Sequence, residues 1–277
     1  MSSIITLTTD FGLTGTYAAV MKGVILSINP EAKLVDICHT IEPQNLLQAA
    51  FAINTVYEFF PPETVHLVVV DPGVGTERKA IILRTPQADF VAPDNGVLSY
   101  IIQRFSSFPR EDFDEPYDIE LSPNIEAIHI TRSEFWRLPV SATFHGRDIF
   151  APVAAKLSLG YQPSDFGERT DKVKVLPLPH PHMTTDGALT GHILHIDSFG
   201  NIIIDIRHDD LPWMKESLAI TVGNNVINGL VSTYLEGKGL MALFGSSGYL
   251  EIALKNGNAA ALLNARAGDE VVIKRTS

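Results

Sequence analysis

The run Val-Val-Val-Asp-Pro-Gly-Val-Gly-Thr-Glu-Arg at 68–78 constrains this chain more than any other stretch. The segment ending at Val70 is apolar and β-branched, as expected of a strand buried on both faces of a parallel sheet. It runs straight into an acid, and a Pro-Gly-x-Gly turn follows with no helix-forming residues behind it. In an open α/β sheet, polar residues just past a strand's carboxyl end face the crevice where ligands bind. Asp71 and Arg78 therefore bracket a loop whose glycines let backbone come close to a ligand. A second run, Phe-His-Gly-Arg-Asp at 144–148, places His145 just before a helix start. An Asp, an Arg and a His on one crevice handle protons without supplying a nucleophile. That combination points to chemistry done by water.

Around this feature the first ~175 residues alternate as βαβ units do. Strands are expected at Ile4–Thr9, Lys33–Cys38, Val65–Val70, Ala80–Arg84 and Phe90–Ala92. Helices are expected at Tyr17–Ser27, at about Asn45–Phe60 (stopped by Pro61-Pro62), at Val97–Phe105 and at Ile149–Leu159, with Pro152 tolerable in a first turn. The polar, Pro-rich stretch 106–125 gives no clear assignment. Composition changes at Leu-Pro-Leu-Pro-His-Pro-His (176–182), which cannot be helical and reads as an extended linker. Beyond it lie short alternating strands with Gly and Asn turns: Ala188–Ile196, Asn201–Ile206, Leu218–Val222, Met241–Phe244, Tyr249–Ala253 and Glu270–Lys274. The expected fold is an α/β domain over 1–175 with a central, mostly parallel sheet, joined by the linker 176–182 to a smaller all-β, barrel-like domain over 183–277.

Charge and cysteine content exclude several function classes. A net charge of −11 leaves no basic stripe for nucleic-acid phosphates and is compatible with a cationic small substrate. No stretch approaches the ~20 apolar residues of a membrane span. Cys38 is the sole cysteine, so no internal disulfide can form; its apolar setting reads as a buried, inert thiol. A cytoplasmic enzyme with neither nucleic-acid nor membrane partners is the expectation.

Six motifs then carry a specific resemblance. Thr-Thr-Asp-Phe-Gly (8–12), Val-Asp-Pro-Gly-Val-Gly-Thr (70–76), Ala-Pro-Asp-Asn-Gly (92–96), Thr-Phe-His-Gly-Arg-Asp (143–148), Phe-Gly-Asn (199–201) and Gly-Tyr-Leu-Glu-Ile-Ala (248–253) stand in order along the chain. Together they resemble the S-adenosyl-L-methionine (SAM) hydroxide adenosyltransferase family, the SAM hydrolases related to the fluorinase and chlorinase. The resemblance implies hydrolysis of SAM to adenosine and L-methionine. It also implies a homotrimer whose sites lie at subunit interfaces, with SAM and water as the only small-molecule partners and no cofactor.

The family's Asp-Arg-His triad maps onto Asp71, Arg78 and His145. Asp71 would take the water's proton or hold its partners, and Arg78 would fix the Asp71 carboxylate and stabilise developing hydroxide. His145 would be the tunable member, near its pKa at working pH. Asp10 would receive the ribose hydroxyls and Asp197 the amino-acid portion of the substrate. Phe199, Asn201 and Tyr234 would hold adenine, and Ser246 the methionine carboxylate.

A sulfonium leaves C5′ as a neutral thioether, so the reaction needs an oriented, hydroxide-like water and no metal. Differences from the halogenase branch agree: it has Tyr at the position of Asp71 and Ser at that of Gly146, and an insertion absent here between Arg84 and Ala92. A carboxylate at 71 would polarise water and repel halide. At the methionine end that branch has an aromatic at the position of Gln44 and an arginine at that of Ser247, so the methionine-side contacts carry over less directly than the adenosine-side ones. The remaining features carry less: Gly73-Val-Gly75 fails the dinucleotide spacing, His180 and His182 read as a solvated pair in the linker, and an oxygen-rich metal site from Asp10, Asp71, His145 and Asp148 is unnecessary for this chemistry. Three readings stay open: a SAM hydrolase, a SAM-using halogenase, and a non-catalytic protein that binds adenosine or SAM.

Overall fold

A computed structural model describes residues 4–107, 115–211, 213 and 218–276. The chain divides into two compact units between Leu178 and Pro179, inside the proline-rich run.

The first unit is built on a mixed sheet. Its strands are β1 (Ile4–Thr9), β2 (Lys33–Cys38), β3 (Thr64–Val69), β4 (Ala80–Arg84), β5 (Ala88–Pro93), β7 (Glu126–Ile130) and β8 (Gly167–Arg169); β6 (Tyr117–Glu120) and β9 (Lys172–Val175) pair separately. The order is β2-β1-β3-β5-β4-β7-β8, parallel from β2 through β5 and antiparallel beyond. Period-two alternation along β3 divides its side chains between two cores. Val65, Leu67 and Val69 pack with Met21, Ile25, Val153 and Ala154 of helices α1 (Tyr17–Ile28) and α4 (Ala151–Ser158). Val68 and Val70 pack with Ala49, Ile53, Ile101 and Ile102 of α2 (Leu46–Asn54) and α3 (Ser99–Gln103). Both faces of the sheet are thus covered, and cutting the wholly buried Leu67 to alanine would cost about 2–5 kcal/mol.

A histidine sits among the polar residues inside this packing. His66 of β3 is fully buried, its Nδ1 2.8 Å from Thr6 Oγ1 and its ring stacked 5.0 Å from Phe90. Burial pushes its pKa down to about 3, so the ring is neutral near pH 7.

The helices are shorter than the sequence pattern implies. The helix expected over 45–60 ends at Asn54, where the β-branched pair Thr55-Val56 follows, and resumes only as a single 3₁₀ turn at Tyr57–Phe59. Its start is sharp because Asn45 accepts a hydrogen bond from the Gln48 backbone N–H at 2.9 Å. The helix expected over 97–105 contracts to α3, with Ser99 Oγ bonded to the Gly96 carbonyl. Before α4 stands a π-helical turn, Gly146–Phe150, and such turns often mark functional positions. Cys38 is half-buried rather than buried, ending β2 with its sulfur 3.4 Å from Thr40 Oγ1. Within 106–125, β6 is an element the sequence did not assign, while 108–114 lie outside the described residues.

The second unit is an antiparallel, barrel-like sheet. It comprises β10 (His182–Met183), β11 (Leu189–Ile196), β12 (Ile202–Arg207), β13 (Leu218–Val222), β14 (Asn225–Asn228), β15 (Leu240–Phe244), β16 (Tyr249–Leu254) and β17 (Glu270–Arg275), in the order β14-β13-β17-β11-β12-β16-β15 with β10 on β11. Ile193, Ile204, Ile220, Leu250, Ile252 and Ile273 fill its core. His182 pairs with Thr190, so the extended segment stops one residue short of the expected linker end. β14 was not expected from sequence. It is four residues long, polar at both ends, and joined to β13 by the two-residue turn Gly223-Asn224, with Gly223 at φ +55°. A short helix, α5 (Ala259–Leu263), also escapes the pattern; Asn258 caps its start and Asn264, at φ 49°, its end. Among the described residues, no helix is long and apolar enough to cross a membrane.

Candidate active site

Strand register brings Asp10, Asp71, Arg78 and His145 together in the first unit. Thr9 of β1 lies beside Val69 of β3, so Asp10 and Asp71 leave the sheet at the same edge. β4 runs antiparallel to β5 with Ala80 opposite Pro93, which returns Arg78 to that edge. His145 immediately precedes the π turn leading into α4, a helix packed on β1 and β3. Asn95, from the 92–96 motif, donates its side-chain N–H to the Val70 carbonyl at 3.0 Å and pins the strand end beside Asp71. Gly75 has φ +80°, and a Cβ there would lie 2.3 Å from the Ala142 carbonyl oxygen, so only glycine lets this loop meet the segment carrying His145.

Arg78 links the triad. Its Nε donates to Asp71 Oδ1 at 2.8 Å and its Nη2 donates to Asp71 Oδ2. Nη2 also lies 2.9 Å from His145 Nδ1, and the guanidinium sits over the Phe150 ring at 5.2 Å. A guanidinium only donates, so His145 Nδ1 accepts and the ring proton resides on Nε2. Burial first, and the adjacent Arg78 charge second, hold His145 below its ordinary pKa of 6.5. His145 is therefore neutral near pH 7, not poised at its pKa as the sequence suggested.

These side chains open on a crevice of about 300 Å³ that Asp10, Asp71 and His145 line together with Gln44, Phe11, Tyr17 and Phe144. Asp10 Oδ2 accepts the Gln44 backbone N–H at 2.9 Å, which leaves Oδ1 available to a ligand hydroxyl. Asp148 does not join them. It is fully buried, held by Arg147 Nε and Nη2 at 2.7 Å each and by the Ser141 N–H at 2.9 Å. Burial alone would raise its pKa, but those hydrogen bonds outweigh it and hold the carboxyl below the usual range. Its role is to lock the 141–148 loop. Among the described residues, no group of three or more His, Cys, Asp and Glu side chains is placed to hold a metal ion.

The remaining residues singled out by sequence lie in the β unit. Asp197 Oδ1 accepts the backbone N–H groups of Phe199 and Asn201 at 2.9 and 2.8 Å, and its Oδ2 accepts Asn201 Nδ2 at 3.0 Å. This carboxylate organises the Phe-Gly-Asn turn, with Gly200 at φ +83°. One of the two Asn201 amide N–H groups is thereby engaged, and the other N–H and the carbonyl oxygen remain. Phe199 (76% exposed), Asn201 and Tyr234 line one cavity of about 540 Å³. Tyr234 donates to Glu251 Oε1 at 2.6 Å, which pushes its pKa up to about 12. Glu251 is buried and raised in turn, by desolvation and then by the Asp197 charge. Ser246 is exposed in the turn between β15 and β16 and does not line that cavity.

Sequence reasoning gave no role to Glu251, Asn95 or the crevice-lining aromatics, although motifs quoted above contain all but Tyr17. Their place inside those motifs was the available signal; their partners become visible only in three dimensions.

Comparison with known proteins gives a consistent picture. Residues 5–167 match the SAM hydroxide adenosyltransferase N-terminal domain and residues 191–272 the C-terminal domain. The chain is 34% identical, over 98% of its length and 95% of the relative's, to an (R)-S-adenosyl-L-methionine hydrolase of Methanocaldococcus jannaschii. A solved structure described as an uncharacterized conserved protein from Thermotoga maritima aligns with TM-score 0.86 at 35% identity, covering 98% of this chain and 100% of the other. More distant is a fluorinase of Nocardia brasiliensis, 26% identical over 98% of this chain and 96% of its own.

Proposed function

We propose, from the premise that this chain belongs to the SAM hydroxide adenosyltransferase family, that it hydrolyses S-adenosyl-L-methionine to adenosine and L-methionine. The observation that carries the reading is the Asp71–Arg78–His145 cluster on the crevice that Asp10 also lines. Water attacks C5′ in line with the C–S bond. A C5′–O bond forms, the C5′–S pair returns to sulfur, and the water's proton leaves toward the triad. Asp71 is the acceptor: Arg78 occupies one direction on each carboxylate oxygen and leaves another free for the water. His145 carries its proton on Nε2 and donates to the oxygen that is becoming hydroxide. Arg78 holds both partners and offsets the carboxylate charge.

Asp10 receives the ribose hydroxyls, and Phe199, Asn201 and Tyr234 hold adenine, with the Asn201 carbonyl accepting from the purine's exocyclic amine. Asp197 and Ser246 are assigned to the methionine end, Asp197 also through the turn it organises. The neutral leaving thioether makes a metal or cofactor unnecessary. The name of the Methanocaldococcus relative directs attention to the (R)-sulfonium epimer as the preferred substrate. As the working assembly we propose a homotrimer in which each site draws its two half-sites from different subunits. Mixing Asp71→Ala with Asn201→Ala chains then restores activity that neither has alone, and full activity in a dilute monomer contradicts it. The single cysteine suits a reducing cytoplasm, where the reading places the enzyme.

Halogenation is disfavoured by the Asp71 carboxylate and by Gly146, where an added Cβ would already lie 3.1 Å from Met21 Sδ and 3.3 Å from the Phe144 ring. Incubating the chain with each SAM epimer, with and without halide and EDTA, tests the reading. Adenosine and methionine in every arm support it; a 5′-halo nucleoside, loss of rate in EDTA, or no product overturns it.

A further inference from the structure

The crevice carries a feature that the proton chemistry does not use. Phe11, Tyr17 and Phe144 form a closed trio: ring centroids are 5.5 Å apart for Phe11–Tyr17, 5.8 Å for Phe11–Phe144 and 5.2 Å for Tyr17–Phe144, the last two pairs edge-on at 83° and 90°. All three line the crevice shared by Asp71 and His145. Tyr17 is the first residue of α1 and 54% exposed, so its ring is not held there by burial in the core.

The charges around the trio are already paired. Arg78 neutralises Asp71, His145 is held neutral, and Arg147, which lies 5.3 Å over the Phe144 ring, is bound to Asp148 by two hydrogen bonds. Asp10 is the remaining lining carboxylate, and the reading above assigns it to the ribose. A sulfonium carries its charge on a sulfur bearing three carbon substituents. It has no N–H or O–H to offer a carboxylate, and the negative face of an aromatic ring attracts such a soft cation well.

We propose that Phe11, Tyr17 and Phe144 form a sulfonium-selecting wall, which distinguishes the cationic substrate from a neutral thioether of nearly the same shape. The inference rests on SAM being the substrate. It assigns these aromatics a consequence for both ends of the reaction. Before attack the wall adds affinity for the cation; once the C5′–S electron pair returns to sulfur the charge is gone, and so is the attraction. Because charge fades on the way to the transition state, the wall holds the ground state more tightly than the transition state: it lowers KM and does not raise kcat.

The test compares KM and kcat for SAM with the inhibition constant of S-adenosyl-L-homocysteine, which lacks only the methyl group and the charge. Tyr17→Leu, which keeps an apolar side chain but removes the ring, is expected to raise KM for SAM roughly 3- to 10-fold. Its kcat holds or rises, and its inhibition constant for the thioether stays within about twofold of wild type. Tyr17→Phe restores the wild-type KM, and Phe144→Leu reads the wall independently. Equal weakening toward both ligands, no change toward either, or failure of Tyr17→Phe to restore KM overturns the wall. A wild-type chain that makes no adenosine from SAM removes the underlying reading and the wall with it. Normal hydrolysis with an unchanged Tyr17→Leu KM removes the wall alone.

Discussion

Arg78 presents two nitrogens to the two oxygens of Asp71, and both side chains are more than nine-tenths buried. A fork of this kind fixes the carboxylate in direction as well as in charge. Lysine offers a single point of charge, so Arg78→Lys is expected to keep the fold and lower kcat by about 10²-fold, with KM nearly unchanged. Arg78→Leu strands a buried carboxylate and should cost about 3–5 kcal/mol of stability as well. Steady-state kinetics beside thermal unfolding checks both; a lysine variant with wild-type kcat would show that the fork is incidental.

Asp71→Asn separates charge from shape. The amide fills the same space and can still meet Arg78 through its oxygen, but it cannot take a proton. Substrate affinity should hold while kcat falls by about 10²–10⁴-fold, the usual contribution of general-base assistance. Affinity lost in parallel with turnover would assign Asp71 to binding instead.

Asn201→Ala should raise KM and leave kcat within a few fold. With one amide N–H held by Asp197, the second N–H and the carbonyl oxygen remain for the purine, and loss of a hydrogen bond of this kind costs about 1–3 kcal/mol. A KM equal to wild type would place adenine elsewhere.

Two histidines give the pH dependence, through different observables. His145 works neutral, and both burial and Arg78 lower its pKa, so the acid limb of kcat/KM is expected below pH 6.5. A limb centred above 6.5 would contradict the arrangement around Nδ1. His66 acts on stability. Its folded pKa of about 3 lies below the unfolded 6.5, so between those values the unfolded chain binds more protons than the folded one. Stability from this residue is complete above about pH 6.5 and declines as pH falls toward 3, at up to about 1.4 kcal/mol per pH unit. Replacing His66 with glutamine, which cannot titrate, should flatten the thermal-unfolding profile between pH 6.5 and 4. A profile that falls as steeply without His66 would assign the acid sensitivity to other groups.

The sequence was most legible where local chemistry and global fold agree. β3 could be read because an apolar run ending in Asp-Pro-Gly has few alternatives, and its side chains do alternate between two cores. The triad was legible as residue types in motifs, but the direction of the Arg78 fork and the proton on His145 Nε2 depend on strand register and loop packing. Helix ends were misjudged where β-branched residues such as Thr55 and Val56 replace a stop signal. β14 and α5 were missed because four or five residues give no periodicity to detect. Asp148 looked like a possible ligand in sequence, and only the Arg147 contact shows it to be a loop anchor. Glu251 could not be connected to Tyr234 because seventeen residues separate the two in the chain.

In the proposed reaction, water prepared by Asp71, Arg78 and His145 attacks C5′ of a sulfonium. Single-turnover hydrolysis of SAM in oxygen-18 water, with mass analysis of both products, tests it most directly. One labelled oxygen is expected in adenosine, at the 5′-hydroxyl, with unlabelled methionine, and the label's rate of appearance falls in Asp71→Asn as strongly as turnover. Label in the amino-acid product, adenosine formed without label, or an unchanged rate in Asp71→Asn would contradict it.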